Sequence, residues 1–252
     1  NNAHPQTQEL RNLVRMRRRG IYIYALPNML TSAKLVLGFL SILFAVEGRF
    51  TKAAWSILLA SVFDLLDGRV ARLTNTTSKF GVEYDSLCDL VSFGVAPAIL
   101  LYYAALQPFG RPGIVAAVVF ALCGALRLAR FNVLAAVLPK SYFQGLPIPM
   151  ASMLLCTSVF FANEIGYPMT VSAPFLVLTF ATGMLMISTF KFPSFKDLHL
   201  RQRRKFSALA FSFVIIIALI SWFEVTAFLL ILAYIAFSIL SDIWRSRHQW
   251  KK

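Results

Sequence analysis

The sequence predicts an all-α, polytopic integral membrane protein with about eight transmembrane helices, and three observations carry that prediction. Of the 252 residues, 58% are hydrophobic and only 14% are charged, with a mean hydropathy of +0.67. Soluble domains run at about 45–50% apolar and about 25% charged, so too little charge is present to coat a water-facing surface. The apolar residues also gather into runs of roughly 18 or more, the length that crosses a bilayer. Finally, lysines and arginines fall on alternate junctions between those runs, as orientation in a membrane demands.

The spans fall at roughly 27–46, 53–73, 82–106, 113–135, 147–163, 171–190, 206–222 and 225–243. The second is unusual, because its last third carries Asp64, Asp67, Arg69 and Arg72. Ahead of the first, Glu9 to Gly20 interleaves five arginines with Leu10, Leu13 and Val14. That pattern fits a short amphipathic helix on anionic headgroups, with a solvated basic tail as the other reading. The chain divides into a basic N-terminal segment (1–26), a transmembrane domain (27–243) and a basic tail (244–252). It opens on Asn1 and a polar stretch with no evident cleavable signal peptide, as expected of a trimmed or replaced start.

Charge placement sets the expected orientation. Arg69, Arg72 and Lys79 lie at and after the end of span 2, Arg127, Arg130 and Lys140 lie at and after the end of span 4, and six cations from Lys191 to Lys205 follow span 6. The opposite side holds Arg49, Lys52 and Arg111. Both termini and the junction between spans 2 and 3 are therefore expected in the cytoplasm. The net charge of +14 sits in these short junctions rather than on an aromatic-interleaved basic face, which excludes a nucleic-acid binder. Cys88, Cys123 and Cys156 lie in apolar runs without metal-ligand spacing and read as small buried side chains. Three scattered histidines argue against a histidine-centred mechanism.

Only 11 acidic residues exist, and five of them fall between Asp64 and Asp89. Ionisable groups at membrane depth cost about 2.5–3.5 kcal/mol each on insertion scales, so such clustering needs a cause. Asp64 and Asp67 are three apart and Asp85 and Asp89 four apart, so each pair shares one helix face. The polar TNTTS segment between them can turn the chain, bringing four carboxylates together from two antiparallel helix ends. Four uncompensated carboxylates repel, and a hard divalent cation, Mg²⁺ or Mn²⁺, relieves that repulsion through oxygen ligands while leaving positions for substrate phosphate. Gly68 leaves room for a bulky ligand, and Arg72 can meet a phosphate or a carboxylate. A diphosphate bridged to metal fits this set.

The pattern Asp64-x-x-Asp67-Gly68-x-x-Ala71-Arg72, eight residues, Gly81-x-x-x-Asp85-x-x-x-Asp89 resembles the complete signature of the CDP-alcohol phosphotransferases. The resemblance implies that family's fold and metal binding by Asp64, Asp67, Asp85 and Asp89, with Asp89 also the general base on the acceptor hydroxyl. It places Asn28, Thr31, Asp64, Gly68, Arg72 and Ser78 at CDP-binding positions, and implies a homodimer. The segments VSFGVAPA (Val91 to Ala98), LRLARFN (Leu126 to Asn132), FQGLPIP (Phe143 to Pro149) and STFKFPSFK (Ser188 to Lys196) are similar to the phosphatidylserine synthase branch. That branch implies transfer from CDP-diacylglycerol to L-serine within a membrane of lipids. Choline, glycerol phosphate or inositol phosphate as acceptor is the nearest alternative. A cation-coupled transporter is the remote one, disfavoured by the lack of an inverted repeat.

Arg127, Arg130 and Asn132 are candidates to hold the acceptor carboxylate or a lipid phosphate, with snorkelling at a helix end as the competing reading. Lys191 and Lys196 attract anionic substrate or simply mark topology. The glycine and prolines of FQGLPIP predict irregular backbone, bordering the site or merely turning between helices. Lys34 departs from the branch, which more often has a polar uncharged residue there. It either snorkels to the surface or reaches the acidic site.

Overall fold

The computed structural model describes residues 27–74, 78–134, 142–169, 173–193 and 221–249. Within them lie seven helices: α1 (Pro27–Val46), α2 (Phe50–Leu73), α3 (Lys79–Phe109), α4 (Arg111–Leu134), α5 (Ile148–Glu164), α6 (Ala173–Ile187) and α7 (Phe223–Gln249). The chain is a polytopic α-helical membrane protein. Helices α1, α3, α4 and α7 are each long and apolar enough to cross a bilayer, α5 and α6 are shorter apolar helices, and α2 is 24 residues long with charges in its last third. The segment Glu9 to Gly20, nearly all of span 206–222, Lys196 and the side chain of Lys191 lie outside the described residues.

Local chemistry sets the helix boundaries. Pro27 opens α1, where its missing N–H and fixed φ suit the first turn. Helix α3 starts three residues before the predicted span because Ser78 caps it, its Oγ accepting from the Gly81 N–H at 3.0 Å. Two π-helical stretches, Leu90–Val95 and Tyr102–Leu106, widen α3. Pro97 lacks a donor and crowds the carbonyl of Phe93 within the first stretch, which accounts for the local departure from α geometry.

Close helix contact is made by small residues, as in other membrane bundles. A Cβ at Gly38 of α1 would come within 2.5 Å of Ser92 Oγ on α3, and one at Gly124 of α4 within 2.7 Å of Ile148 Cδ1 on α5. Gly183 of α6 lies against the backbone of Phe120 on α4, and α2 packs its alanine-rich stripe on α5. All three cysteines are free and buried, as expected.

The FQGLPIP and STFKFPSFK segments add a small ribbon to the helical bundle. Strand β1 (Tyr142–Gln144) pairs antiparallel with β2 (Lys191–Pro193), setting Phe143 opposite Phe192. After β1 the chain turns at Gly145 with φ +77°, donates from Gly145 N to Phe190 O (2.9 Å) and from Leu146 N to Leu185 O (3.0 Å), then enters α5. A Cβ at Gly145 would collide with the Met186 carbonyl, so this turn requires glycine.

Candidate active site

Buried positions on α1 recur as Pro27, Thr31, Lys34, Gly38, Ser41 and Ala45, the three- and four-residue spacing of a single helix face. That face meets the charged ends of α2 and α3. The four sequence-predicted aspartates converge there: carboxylate oxygens of Asp64, Asp67 and Asp85 lie within 4.8 Å of one another, and Asp89 joins them through a shared partner.

That partner is Lys34. Its Nζ donates to Asp64 Oδ1 at 2.8 Å, Asp85 Oδ1 at 2.5 Å and Asp89 Oδ1 at 2.5 Å, and sits 3.7 Å from Asp67 Oδ2. Lys34 is fully buried, so of the two placements left open by the sequence the acidic site is the one adopted. Its carbonyl accepts from Ser92 Oγ at 3.1 Å, at the close contact of Gly38 with Ser92, which anchors this part of α1 against α3. Thr31 donates to Asp67 Oδ2 at 2.9 Å, and Ser32 bonds the Tyr84 hydroxyl at 2.8 Å. Among the carboxylates, the Asp85 side chain is the most exposed at 41% and Asp67 the least at 7%, so the cluster opens on one side.

A cavity of about 240 Å³ occupies that open side. It is lined by Asn28, Thr31, Gly68, Arg72 and Ser78 together with Asp67 and Asp85. Five of the six residues expected at CDP-binding positions thus share one cavity with two of the expected metal ligands. Asp64 belongs to the carboxylate cluster and not to the cavity lining. The first turn of α3 borders the same space through Ser78, Gly81 and Val82; the Gly81 and Val82 N–H groups are held by the Ser78 Oγ and carbonyl, so the helix end offers an anion its dipole.

The carboxylate set suits a hard divalent ion in donor chemistry and in spacing. The ammonium of Lys34, gripped by three of these carboxylates and close to the fourth, is itself a stand-in cation showing that the point they surround accepts positive charge.

The remaining candidates separate. Arg127 on α4 is buried, its Nε has no hydrogen-bond partner among the described residues, its guanidinium lies 5.2 Å from the Phe131 ring centroid, and it is within electrostatic reach of Asp89. Arg130 is committed elsewhere, donating to the carbonyls of Ile187, Gln144, Met186 and Ser188 at 2.8–3.3 Å. Asn132 donates to Ser86 Oγ at 2.9 Å, tying α4 to the helix that carries Asp85 and Asp89. The strand holding Lys191 pairs with β1. The sequence left Lys34 open between the surface and the acidic site; a signal that could have decided it is a cation on the same face of α1 as Thr31 and Gly38.

An apolar helical bundle with a carboxylate centre beside a cavity at one end defines an integral membrane protein with a candidate site for a cation and an anionic ligand. The family model for CDP-alcohol phosphatidyltransferase matches residues 24–187, which hold α1 to α6 and the whole site, and the chain belongs to that family. It is 41% identical over 175 residues to a CDP-diacylglycerol–serine O-phosphatidyltransferase of Helicobacter pylori, covering 69% of this chain and 74% of that one. An archaetidylserine synthase of Methanothermobacter thermautotrophicus is 43% identical over 171 residues, covering 67% and 70%. A CDP-diacylglycerol–serine O-phosphatidyltransferase of Bacillus subtilis is 37% identical over 173 residues, covering 68% and 91%.

Proposed function

We propose that the chain transfers the phosphatidyl group of CDP-diacylglycerol to the hydroxyl of L-serine, releasing CMP, with Mg²⁺ or Mn²⁺ as cofactor. The observation that carries this reading is the gathering of four carboxylates at the lip of a cavity lined by Asn28, Thr31, Gly68, Arg72 and Ser78. The serine-specific names of the relatives support the acceptor.

The reaction is a displacement at phosphorus. The serine oxygen forms the new P–O bond, the bond from that phosphorus to the CMP oxygen breaks, and the hydroxyl proton passes to Asp89. Asp64, Asp67, Asp85 and Asp89 hold the ion, which when bound neutralises charge on the diphosphate. Thr31 keeps Asp67 oriented, while Arg72, Asn28 and the α3 N-terminus receive the nucleotide side of the substrate. Arg127 receives the acceptor carboxylate, since a buried guanidinium whose Nε has no partner among the described residues favours an anion. A carboxylate is a weak base toward a hydroxyl, so positioning supplies most of the acceleration.

The reading also takes residues 27–243 as the catalytic domain, with the active site and both termini in the cytoplasm and the working unit a homodimer. The basic junctions and the family resemblance support these points.

The test is a CMP-release assay in detergent with CDP-diacylglycerol, Mg²⁺ or Mn²⁺, and a panel of L-serine, choline, glycerol phosphate and inositol phosphate. Release with serine alone, abolished by chelator, is expected. Release with another alcohol changes the substrate, and no metal-dependent release with any acceptor removes the enzyme. In the same assay Asp89→Asn is expected to lose roughly 10²–10⁴-fold in turnover; near-normal turnover removes Asp89 as the base.

A further inference from the structure

Lys34 is the feature the proposed reaction does not use. A lysine in the middle of an apolar helix normally extends to the interface, yet this one is fully buried and reaches across to two other helices. An ammonium has three N–H donors, and the bonds to Asp64, Asp85 and Asp89 use all three. The Phe93 ring lies 5.9 Å from Nζ on one side, and the bond from Ser92 to the Lys34 carbonyl anchors the backbone from which the side chain projects. The charge is therefore tethered at the centre of the carboxylate ring.

We propose that Lys34 is a built-in counter-cation of the metal centre: it holds the four carboxylates in register when no divalent ion is bound, and it competes with that ion for the same oxygens. The inference rests on the metal-binding reading above and goes beyond it. Without the ammonium, four carboxylates from two helices would repel and splay, and Asp67 at 3.7 Å would lose its nearest cation. With it, three formal negative charges remain, enough to attract a divalent ion but fewer than the bare cluster offers. An ion held by these aspartates must draw oxygens away from Nζ or share them with it, and like charges so close repel strongly. Lys34 is thus a positioning residue, with preorganisation gained at the expense of metal affinity.

The experiment is Mn²⁺ binding, followed by electron paramagnetic resonance, and thermal unfolding of the full chain in detergent, each for wild type, Lys34→Met and Lys34→Gln. Lys34→Met keeps the length and removes the charge, whereas Lys34→Gln keeps a hydrogen-bonding head. Both variants are expected to bind Mn²⁺ about tenfold more tightly, to unfold at lower temperature in chelator, and to show a larger upward shift on adding Mn²⁺ than wild type. Should Lys34→Met fail to fold in chelator, recovery of its fold by Mn²⁺ counts for the proposal and failure to recover with Lys34→Gln unchanged counts against it. Equal or weaker Mn²⁺ binding by a folded variant, or an unchanged unfolding temperature in chelator, overturns the role of Lys34 while leaving the metal centre standing. Absence of Mn²⁺ binding by wild type and variants alike sinks the metal centre and this inference together.

Discussion

Two parts of the same bundle differ in where their side-chain hydrogen bonds lead, since only one of them adds bonds between helices to bonds within a helix. In α5 and α6, Thr157 donates to the Met153 carbonyl, Ser158 to Leu155, Thr179 to Phe175 and Thr182 to Leu178, every bond returning to the helix that made it. Where α1 meets α2 and α3, Thr31 reaches Asp67, Ser92 reaches the Lys34 carbonyl, and Lys34 reaches three aspartates. A hydroxyl bonded to its own helix fills space without specifying a neighbour. A polar group bonded across helices fixes their relative placement, and its loss strands a partner. The α5–α6 half is thus a scaffold packed through glycine, alanine and aliphatic residues, and the α1–α3 end is where position matters to the chemistry.

The largest effect is expected at the centre of that contrast. Asp85→Asn keeps size and removes charge from the most exposed member of the cluster, which also borders the cavity. CMP release is expected to fall roughly 10²-fold or more, with most of the loss not recovered by excess Mn²⁺. A change of less than tenfold would mean that three carboxylates suffice and that Asp85 belongs with the scaffold.

Two arginines three residues apart on α4 sharpen the comparison. Arg127 has an Nε with no partner among the described residues and lies within electrostatic reach of Asp89, whereas Arg130 is spent on the carbonyls at the end of α6 and at Gln144. Arg127→Gln is expected to raise the KM for serine by about 10-fold or more, with the KM for CDP-diacylglycerol within about twofold of wild type. Arg130→Gln is expected to lower the unfolding temperature and leave the serine KM near wild type. Steady-state kinetics with each substrate varied in turn, beside a melting curve, separates the two roles, and exchanged outcomes would reverse the assignment.

These two arginines also mark where sequence stops being legible. Both sit in LRLARFN, and spacing alone offered them the same role, because Arg130's partners are backbone carbonyls that carry no sequence signal. The bounds of α1 to α4 were readable to within a few residues because long apolar runs are local features, while the Ser78 cap, not read in the sequence, moved the start of α3 by three residues. The aspartate cluster was readable because i, i+3 and i, i+4 spacing puts carboxylates on one face whatever the tertiary packing. The target of Lys34 was not, since it depends on α1 and α3 meeting at Gly38 and Ser92, a contact between residues over 50 positions apart. The ribbon of β1 and β2 and the π-helical stretches of α3 likewise come from packing and from Pro97, not from periodicity.

The smallest expected effect tests the contrast most cleanly, because it uses one chemical change at two sites. Thr→Val deletes a hydroxyl and keeps the shape, and Thr31 and Thr157 are both buried in helices. At Thr157 the hydroxyl is bonded only within α5 and its loss leaves no charged group unpaired, so Thr157→Val is expected within about 0.5 kcal/mol of wild type in stability, with unchanged turnover. At Thr31 the hydroxyl also reaches the Pro27 carbonyl of its own helix at 3.1 Å, but its shorter bond, 2.9 Å, is to the least exposed carboxylate of the cluster, so Thr31→Val leaves Asp67 short of a donor and is expected to cost about 1–3 kcal/mol, read as a rise in the Mn²⁺ concentration needed for half-maximal CMP release. Equal responses at the two positions would mean that cross-helix bonding at the α1–α3 end carries no more functional weight than the self-satisfied hydroxyls of the scaffold, and that the cluster is held by its charges alone.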